Sequence, residues 1–113
     1  MRFMMFVCVA EQAHTPADET SVPTIDAWVD ATYGKGIAIL GERLVGPQDA
    51  KCVRNRDGKI VVTDGPFAET KEFIAGFDIL ECADLDEAIA VAASHPMAHT
   101  HLIEVRAFDP LNL

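Results

Sequence analysis

Four ionisable side chains are concentrated in one short connection of this 113-residue chain, the segment 64–72 with the sequence DGPFAETKE. The segment joins two apolar runs, and such connections often carry functional residues because a rigid scaffold holds them at the surface. Lys71 can bind an anion, and Asp64, Glu69 or Glu72 can move a proton in a cleft between sheet and loop. The alternative is a purely structural turn, since the segment opens with Asp, Gly and Pro.

Arg43 is a second candidate contact for an anion. It shares a predicted strand face with Gly41, and a guanidinium beside a glycine can approach a carboxylate through two parallel hydrogen bonds. The alternative role is a structural salt bridge to Glu42, Glu81 or Glu104.

Three of the four histidines fall within seven residues, at His95, His99 and His101. On an extended segment, His99 and His101 would place both imidazoles on one side, which is a candidate metal pair. No carboxylate or cysteine lies within the segment to complete a site, so we expect no metal. We place His95 in the last turn of a helix, where the helix dipole favours a charged imidazole that titrates near neutral pH.

The hydrophobic periodicity predicts the elements that position these residues. Two helices are predicted, one that begins near Pro23 and ends at Gly34, and one that follows the cap Asp84 and stops before Pro96. A turn at Asp57-Gly58 predicts a hairpin. Six strands are predicted in all, at residues 3–9, 37–44, 50–56, 59–63, 73–82 and 101–108.

These elements give the order β-α-β-(β-hairpin)-β-α-β, which predicts an α+β ferredoxin-like sandwich with both helices on one face of an antiparallel sheet. By length, residues 1–113 form a single domain. The first strand is apolar on both sides, so Met4, Phe6 and Cys8 would form an exposed apolar patch on the helix-free face. A second copy stacked face to face would cover that patch, and we therefore expect a homodimer.

Composition and charge exclude several classes of partner. The formal charge of −9 opposes attraction to nucleic acid or anionic lipid, so we expect neither nucleic acid nor membrane as a partner. No apolar run reaches the ~20 residues of a membrane span, residues 1–10 lack the features of a signal peptide, and a cytoplasmic location follows. The three cysteines, Cys8, Cys52 and Cys82, are far apart, which favours reduced, packed thiols over disulfides or a zinc site.

Residues 64–67 match the DGPF signature of the YCII-related family, and the chain resembles that family also at Gly41-Glu42-Arg43-Leu44 and Ile103-Glu104-Val105-Arg106. In register, the resemblance spans nearly the whole chain. It implies the dimeric α+β barrel of this superfamily and a place in its DGPF branch. The family is one of largely unassigned activity. Its frequent gene association with extracytoplasmic-function sigma factors implies such a factor as a candidate partner.

The resemblance also suggests a catalytic pair and departs from it. Members of the wider superfamily have been proposed to use a His in the first helix and an Asp directly before a Pro at the end of the second. This chain has Ile25-Asp26 where the His would be, and His95 before Pro96 where the Asp would be. A reversed pair, in which Asp26 orients His95, would preserve an imidazole that acts as general acid or base. The alternative places Asp26 on the solvent side of its helix.

The leading interpretation is therefore an acid/base enzyme without an organic cofactor, acting on a small polar or anionic ligand. The sequence contains no phosphate-binding Gly-rich loop, dinucleotide fingerprint or local nucleophile motif. The alternative is a non-enzymatic binding or regulatory protein linked to a sigma factor. Shielded, convergent titratable groups would favour the enzyme, and a shallow solvated groove the regulator. The catalytic candidates are His95, Asp26 and Asp64, and the substrate-binding candidates are Arg43, Lys71 and Glu72.

Overall fold

The computed structural model of the chain describes residues 1–65 and 72–109. None of the helices in these two ranges is long and apolar enough to cross a membrane. The strands and helices are β1 (Arg2–Val9), α1 (Ile25–Thr32), β2 (Ala38–Arg43), β3 (Lys51–Arg56), β4 (Lys59–Asp64), β5 (Phe73–Glu81), α2 (Leu85–Ala93), α3 (Pro96–Thr100) and β6 (Leu102–Ala107).

Four of the strands form one antiparallel sheet in the order β2-β5-β1-β6. β1 is an inner strand of this sheet and pairs with β5 on one side and β6 on the other. This order, with α1 and α2 as crossovers, is the ferredoxin-like arrangement, so the predicted α+β fold is confirmed.

The core lies between the sheet and the two longer helices. Alternate residues of a strand point to opposite faces, and Phe3 and Met5 of β1 are completely buried with Leu80 of β5. Trp28 of α1 and Ala88 of α2 belong to the same cluster. Both crossover helices therefore pack on the face that carries Phe3 and Met5.

Capping residues set where the helices begin. The Thr24 side chain accepts a hydrogen bond from the Ala27 N–H at 3.1 Å, so α1 begins at Ile25 and not at Pro23 as predicted. The Asp84 side chain accepts from the Glu87 N–H at 2.9 Å, as the sequence predicted for α2. Such caps satisfy backbone N–H groups that have no partner within the helix.

The opposite face of the sheet is open. Met4, Phe6 and Cys8 lie on this face and are only partly buried, and the molecule is 20 Å deep in its shortest dimension. That depth matches one sheet with a single layer of helices, each roughly 10 Å across with its side chains. The predicted division of β1 into a buried and an open apolar side is thus what the structure has.

The β3–β4 hairpin forms a separate two-stranded sheet. Its turn residues Asp57 and Gly58 have φ angles of 54° and 84°. Two-residue hairpin turns commonly require this left-handed conformation at both positions. The predicted Asp57-Gly58 hairpin is confirmed.

The segment after α2 differs from the prediction. α2 ends at Ala93, and a new short helix, α3, begins at Pro96 with His95 as its N-cap. Proline suits the first position of a helix, where its missing N–H has no partner to lose, so Pro96 starts a helix instead of stopping one. His99 lies on α3 and His101 follows it as the C-cap. The predicted extended His-x-His pair is therefore wrong.

We expect Trp28 to contribute most of the coupling between the two crossover helices. Its indole N–H donates to the Val91 carbonyl of α2 at 3.1 Å, and its side chain is buried. Trp28→Ala should lower the free energy of unfolding by about 3–5 kcal/mol, because it leaves a large cavity. Trp28→Phe should lower it by only about 1–2 kcal/mol, since the ring is largely kept and one hydrogen bond is lost.

Urea denaturation measures both variants. Circular dichroism is the signal, because both variants lack Trp28, the only tryptophan, and so have no tryptophan fluorescence. The Val91 carbonyl keeps bonds from the Ser94 hydroxyl at 2.6 Å and the Ser94 N–H at 3.2 Å, so Trp28→Phe leaves no orphaned acceptor. Equal losses in the two variants would show that ring packing contributes little.

Candidate functional site

A cleft of about 630 Å³ opens on the helix-bearing side of the sheet. Strands β2 and β5 supply one wall, and helices α1 and α3 supply the other. Trp28, Val29 and Met97 give it an apolar lining, and the lining also includes five residues with polar or charged side chains, namely Tyr33, Glu42, Arg43, Asp78 and His95.

Asp78 is a carboxyl group in the middle of a buried strand. It lies opposite Met5 of β1 and Gly41 of β2, on the helix-bearing face, and only 9% of its surface is exposed. The Tyr33 hydroxyl donates a hydrogen bond to its Oδ1. Burial raises the pKa of Asp78 above the ordinary value of 3.8, although the Tyr33 bond acts in the opposite direction. The carboxylate is therefore a stronger base than an exposed one.

Tyr33 is fixed as the donor of this pair. Burial, and then the bond to Asp78 and its charge, raise the pKa of the Tyr33 hydroxyl, so the phenol keeps its proton. The second oxygen of Asp78 has no hydrogen-bond partner among the described residues, yet no buried side-chain oxygen or nitrogen there is left unsatisfied. Asp78 is one of the residues that line the cleft, so Oδ2 is the candidate oxygen for contact with a ligand.

Gly41 is required by this pair. A Cβ atom at position 41 would overlap Asp78 Oδ1 and the Tyr33 hydroxyl, and would lie 2.7 Å from the Phe77 carbonyl. The absence of a side chain at this position lets the Tyr33 hydroxyl reach Asp78 across β2.

His95 lies in the cleft as a neutral hydrogen-bond donor. Only 5% of it is exposed, its ring packs on Trp28 with centroids 4.7 Å apart, and its Nδ1 accepts the Met97 N–H at 3.0 Å. Burial lowers the pKa of His95 below the ordinary value of 6.5. With Nδ1 as an acceptor, the proton of the neutral ring is on Nε2. The sequence predicted a charged His95 at the C-terminal end of a helix. In the structure His95 is instead neutral and caps the N-terminus of α3.

Arg43 supplies a cation at the end of β2, opposite Gly76 of β5. The predicted alternative was a structural salt bridge. Glu81 is paired with Arg2 and the Met1 amino group, and Glu104 with Arg106. Among the described residues no carboxylate, including that of Glu42, forms an ion pair with Arg43.

The other candidates from the sequence lie elsewhere. Asp26 is exposed in the first turn of α1, does not line the cleft and makes no hydrogen bond with His95, so the reversed pair does not form. The reason is helical spacing: with 3.6 residues per turn, Ile25, Trp28 and Val29 face the cleft and Asp26 turns away.

Asp64 is the last residue of β4, on the hairpin. Its side chain is exposed and forms an ion pair with Lys51. Glu72 is exposed and is not among the residues that line the cleft. Lys71 lies outside the described residues, as does the rest of the segment 66–71. The structure thus brings together His95 and Arg43 from the predicted set, and adds Asp78 and Tyr33.

A signal for Asp78 was present in the sequence. It is the only charged residue between Phe73 and Leu80, in a run that is otherwise apolar, and a carboxylate in a buried strand needs a specific partner. Tyr33 carried no such signal, because its pairing with Asp78 depends on how α1 crosses the sheet.

Within residues 1–65 and 72–109, no group of three or more His, Cys, Asp or Glu side chains is placed to hold a metal ion. His101 Nδ1 accepts the Ala10 N–H at 3.1 Å. Cys8, Cys52 and Cys82 are free thiols, and burial raises the pKa of Cys82. Of the three, Cys82 alone is fully packed.

Three comparisons with known proteins bear on this chain. The family model described as the YCII-related domain matches residues 1–112, which includes every residue of the cleft. Over 50 residues the chain is 50% identical to an uncharacterized protein of Rhizobium meliloti (strain 1021), a match that covers 44% of this chain and 40% of that protein. The chain thus spans less than half the length of this curated relative.

Among solved structures, one similar chain is 5-chloro-2-hydroxyhydroquinone dehydrochlorinase (TftG) from Burkholderia phenoliruptrix AC1100, in complex with 2,5-dihydroxybenzoquinone. The two chains are 14% identical with a TM-score of 0.47, over 96% of this chain and 94% of that one.

Gly41→Ala should destabilise the protein, because the added methyl group displaces the Tyr33–Asp78 pair. Overpacking of this kind lowers the free energy of unfolding by about 1–3 kcal/mol. Gly34→Ala is the matched control, since a Cβ there meets no atom within 4 Å and should change stability little. Chemical denaturation compares the two. A Gly41→Ala variant as stable as Gly34→Ala would contradict the close packing of the pair.

The lowered pKa of His95 predicts the direction in which folding stability changes with pH. The unfolded chain takes up a proton near 6.5, whereas the folded chain takes it up only at lower pH because the pKa of His95 is lowered, so folding stability should fall as the pH is lowered through 6.5. His95→Asn keeps an N-cap oxygen but cannot be protonated, and should flatten the profile between pH 8 and pH 5.

Melting temperatures across that range measure the effect, with His14→Asn at an exposed position as the control. Asp78 contributes a slope of opposite sign at lower pH, because its pKa is raised, but this slope is common to all three proteins. A His95→Asn profile parallel to the parent would show that folding does not disfavour protonation of His95.

Proposed function

This chain belongs to the YCII-related family, and on that premise we propose that it is an acid/base enzyme that moves a proton on a small anionic molecule with an apolar body. The observation that carries the proposal is the convergence of shielded titratable groups in one cleft. Asp78 and His95 are 9% and 5% exposed, and both line the same space as Arg43, which has no ion-pair partner in the part of the chain that the structure describes. Such convergence is typical of catalytic sites.

Arg43 is the proposed anchor for the ligand. A guanidinium binds carboxylate-like groups through two parallel hydrogen bonds, and no described carboxylate competes for this one. Trp28, Val29 and Met97 offer apolar contact to the rest of the molecule. A cleft of about 630 Å³ is of the size that holds a single small metabolite-sized ligand.

Asp78 is the proposed proton acceptor. In the step proposed, a C–H or O–H bond of the ligand breaks, the proton moves to Asp78 Oδ2, and the electron pair stays on the ligand as an enolate or alkoxide. The raised pKa of Asp78 favours this transfer. Tyr33 holds Oδ1 and thereby orients the carboxylate. The same carboxyl group then returns the proton to the ligand, which regenerates the site.

His95 is the proposed donor to the oxygen on which charge develops. Its Nε2–H has no partner among the described residues, and a neutral donor adds no second cation to compete with Arg43 for the ligand's acidic group. A preorganised N–H aimed at a developing oxyanion typically accelerates such a reaction by ~10²–10³-fold.

Two further assignments belong to this proposal. The DGPF sequence at residues 64–67 supports membership of the DGPF branch. The partly exposed Met4, Phe6 and Cys8, with Leu40 and Ile74 at 49% and 44% exposure, support a homodimer formed through the open sheet face, because a soluble monomer rarely exposes so much contiguous apolar surface. A regulatory protein linked to a sigma factor would suit a shallower, solvated groove.

Deuterium exchange into bound acids tests the proposal. Small aliphatic and aromatic carboxylic acids with an acidic C–H bond are screened by thermal shift, and those that bind are incubated in D₂O and followed by proton NMR. Arg43→Gln should weaken binding at least about 10-fold, because a charge-assisted hydrogen bond contributes about 1.5–3 kcal/mol. Asp78→Asn should bind within a few-fold of the parent and lose exchange by about 10²–10⁴-fold.

Arg54→Gln is the control, since Arg54 lies on the hairpin and outside the cleft, and it should match the parent in both assays. Binding that depends on Arg43 without any exchange would favour a binding or regulatory protein. Exchange that survives Asp78→Asn would remove Asp78 as the base.

A further inference from the structure

The β3–β4 hairpin, residues 51–64, forms a sheet separate from the four-stranded one and is called the arm below. Among the described residues its two strands pair only with each other. The chain has a radius of gyration of 16.5 Å, whereas a compact chain of this length has about 13 Å. A two-stranded hairpin is marginally stable by itself in water. The arm therefore needs a surface to lie against.

One face of the arm exposes three apolar side chains beside Lys51, Asn55 and Asp64. The register places Val53 directly opposite Val62, and Ile60 opposite Asn55, so Val53, Ile60 and Val62 share a face. They are 65%, 67% and 56% exposed. Three branched apolar side chains in a row with most of their surface in water are typical of a surface that binds another protein.

The arm also carries a charge opposite to that of the rest of the chain. Four of the nine Lys and Arg residues lie in it, at positions 51, 54, 56 and 59, with only two carboxylates, Asp57 and Asp64. The net charge of the arm is +2. Because the whole chain carries −9, the residues outside the arm carry −11. The surface of another copy of this chain is thus electrostatically complementary to the arm.

The open face of the sheet has a matching composition. Its central row runs across all four strands as Glu42, Phe77, Phe6 and Glu104, two aromatic rings with a carboxylate at each end. Strands of six residues span about 20 Å, and four strands spaced about 4.8 Å apart make a sheet roughly 15 Å across. The arm is therefore long enough to cover this row.

We propose that the arm of each copy lies across the open sheet face of a second copy, with Val53, Ile60 and Val62 against Phe6 and its neighbours. The exchange is reciprocal, so a two-fold pair covers both arms and both sheet faces and leaves no arm unpaired. This inference rests on the homodimer proposed above and adds the residues that hold it. Arg54, Arg56 and Lys59 lie on the other face of the arm, so they attract the acidic partner at long range and do not contact its sheet face.

Sedimentation velocity on three variants tests the arm. Ile60→Asp places a charge in the apolar face and should raise the dimer dissociation constant by at least about 100-fold, since an unpaired charge cannot be buried in a dry interface without large loss. Val61→Asp is the matched control: it adds the same charge to the same strand on the opposite face, beside Arg54, and should leave the dimer intact. Phe6→Asp should give a monomer. Circular dichroism confirms that each variant is folded.

A dimer that is lost in Phe6→Asp but unchanged in Ile60→Asp would overturn the arm while leaving the sheet-face dimer standing. A parent protein that is monomeric at micromolar concentration would overturn both. The acid-binding and exchange assays described above are run separately, so failure of the arm and failure of the proposed enzyme are distinct results.

Amide hydrogen exchange provides a second readout that does not depend on a variant folding. Residues 51–64 of the parent should be protected at concentrations where it is dimeric, and in the Phe6→Asp monomer the same peptide should exchange at least about 10-fold faster, because an unsupported hairpin opens readily. Equal protection in both proteins would overturn the proposal. So would a gel shift with duplex DNA that is abolished by Arg54→Gln, because it would identify nucleic acid as the partner of the cationic arm.

Discussion

The burial of the Asp78 carboxyl group is the constraint on which the rest of the site depends. A carboxylate removed from water needs a hydrogen-bond donor, because an unpaired one would be strongly destabilising. Tyr33 provides that donor from the 3-10 turn that follows α1. Its hydroxyl reaches Asp78 only because Gly41, on the intervening strand, has no side chain. One buried group thereby fixes the end of a helix, the identity of a strand residue and the wall of the cleft.

Burial also gives the ionisable groups of the cleft different chemical roles, because it shifts their pKa values in opposite directions. Loss of solvent raises the pKa of Asp78 and lowers that of His95, so it makes the first a better base and keeps the second neutral. Arg43, at the solvent end of β2, is then the fixed cation among these groups. A base, a neutral N–H donor and a cation around an apolar space are the parts that proton transfer on a small anion requires.

The fold was accessible from the sequence because its signals are local. Strand periodicity, the Asp57-Gly58 turn and the Asp84 cap each depend on a few neighbouring residues. The site was accessible only in part. Arg43 and His95 were identified, but the role of His95 was inverted, because Pro96 starts a helix here. Asp78 was read as part of a strand, and its partner Tyr33 is 45 residues away, a contact that only the crossing of α1 over the sheet creates.

The ionisation of Asp78 is the most direct test of this account. With carboxyl-labelled aspartate, ¹³C NMR follows each side chain through a pH titration, and Asp78→Asn assigns the signal. The pKa of Asp78 should lie above 3.8 and rise further in Tyr33→Phe, because that variant removes the donor that stabilises the ionised form while the burial remains. A pKa at or below 3.8, or one that Tyr33→Phe leaves unchanged, would contradict it.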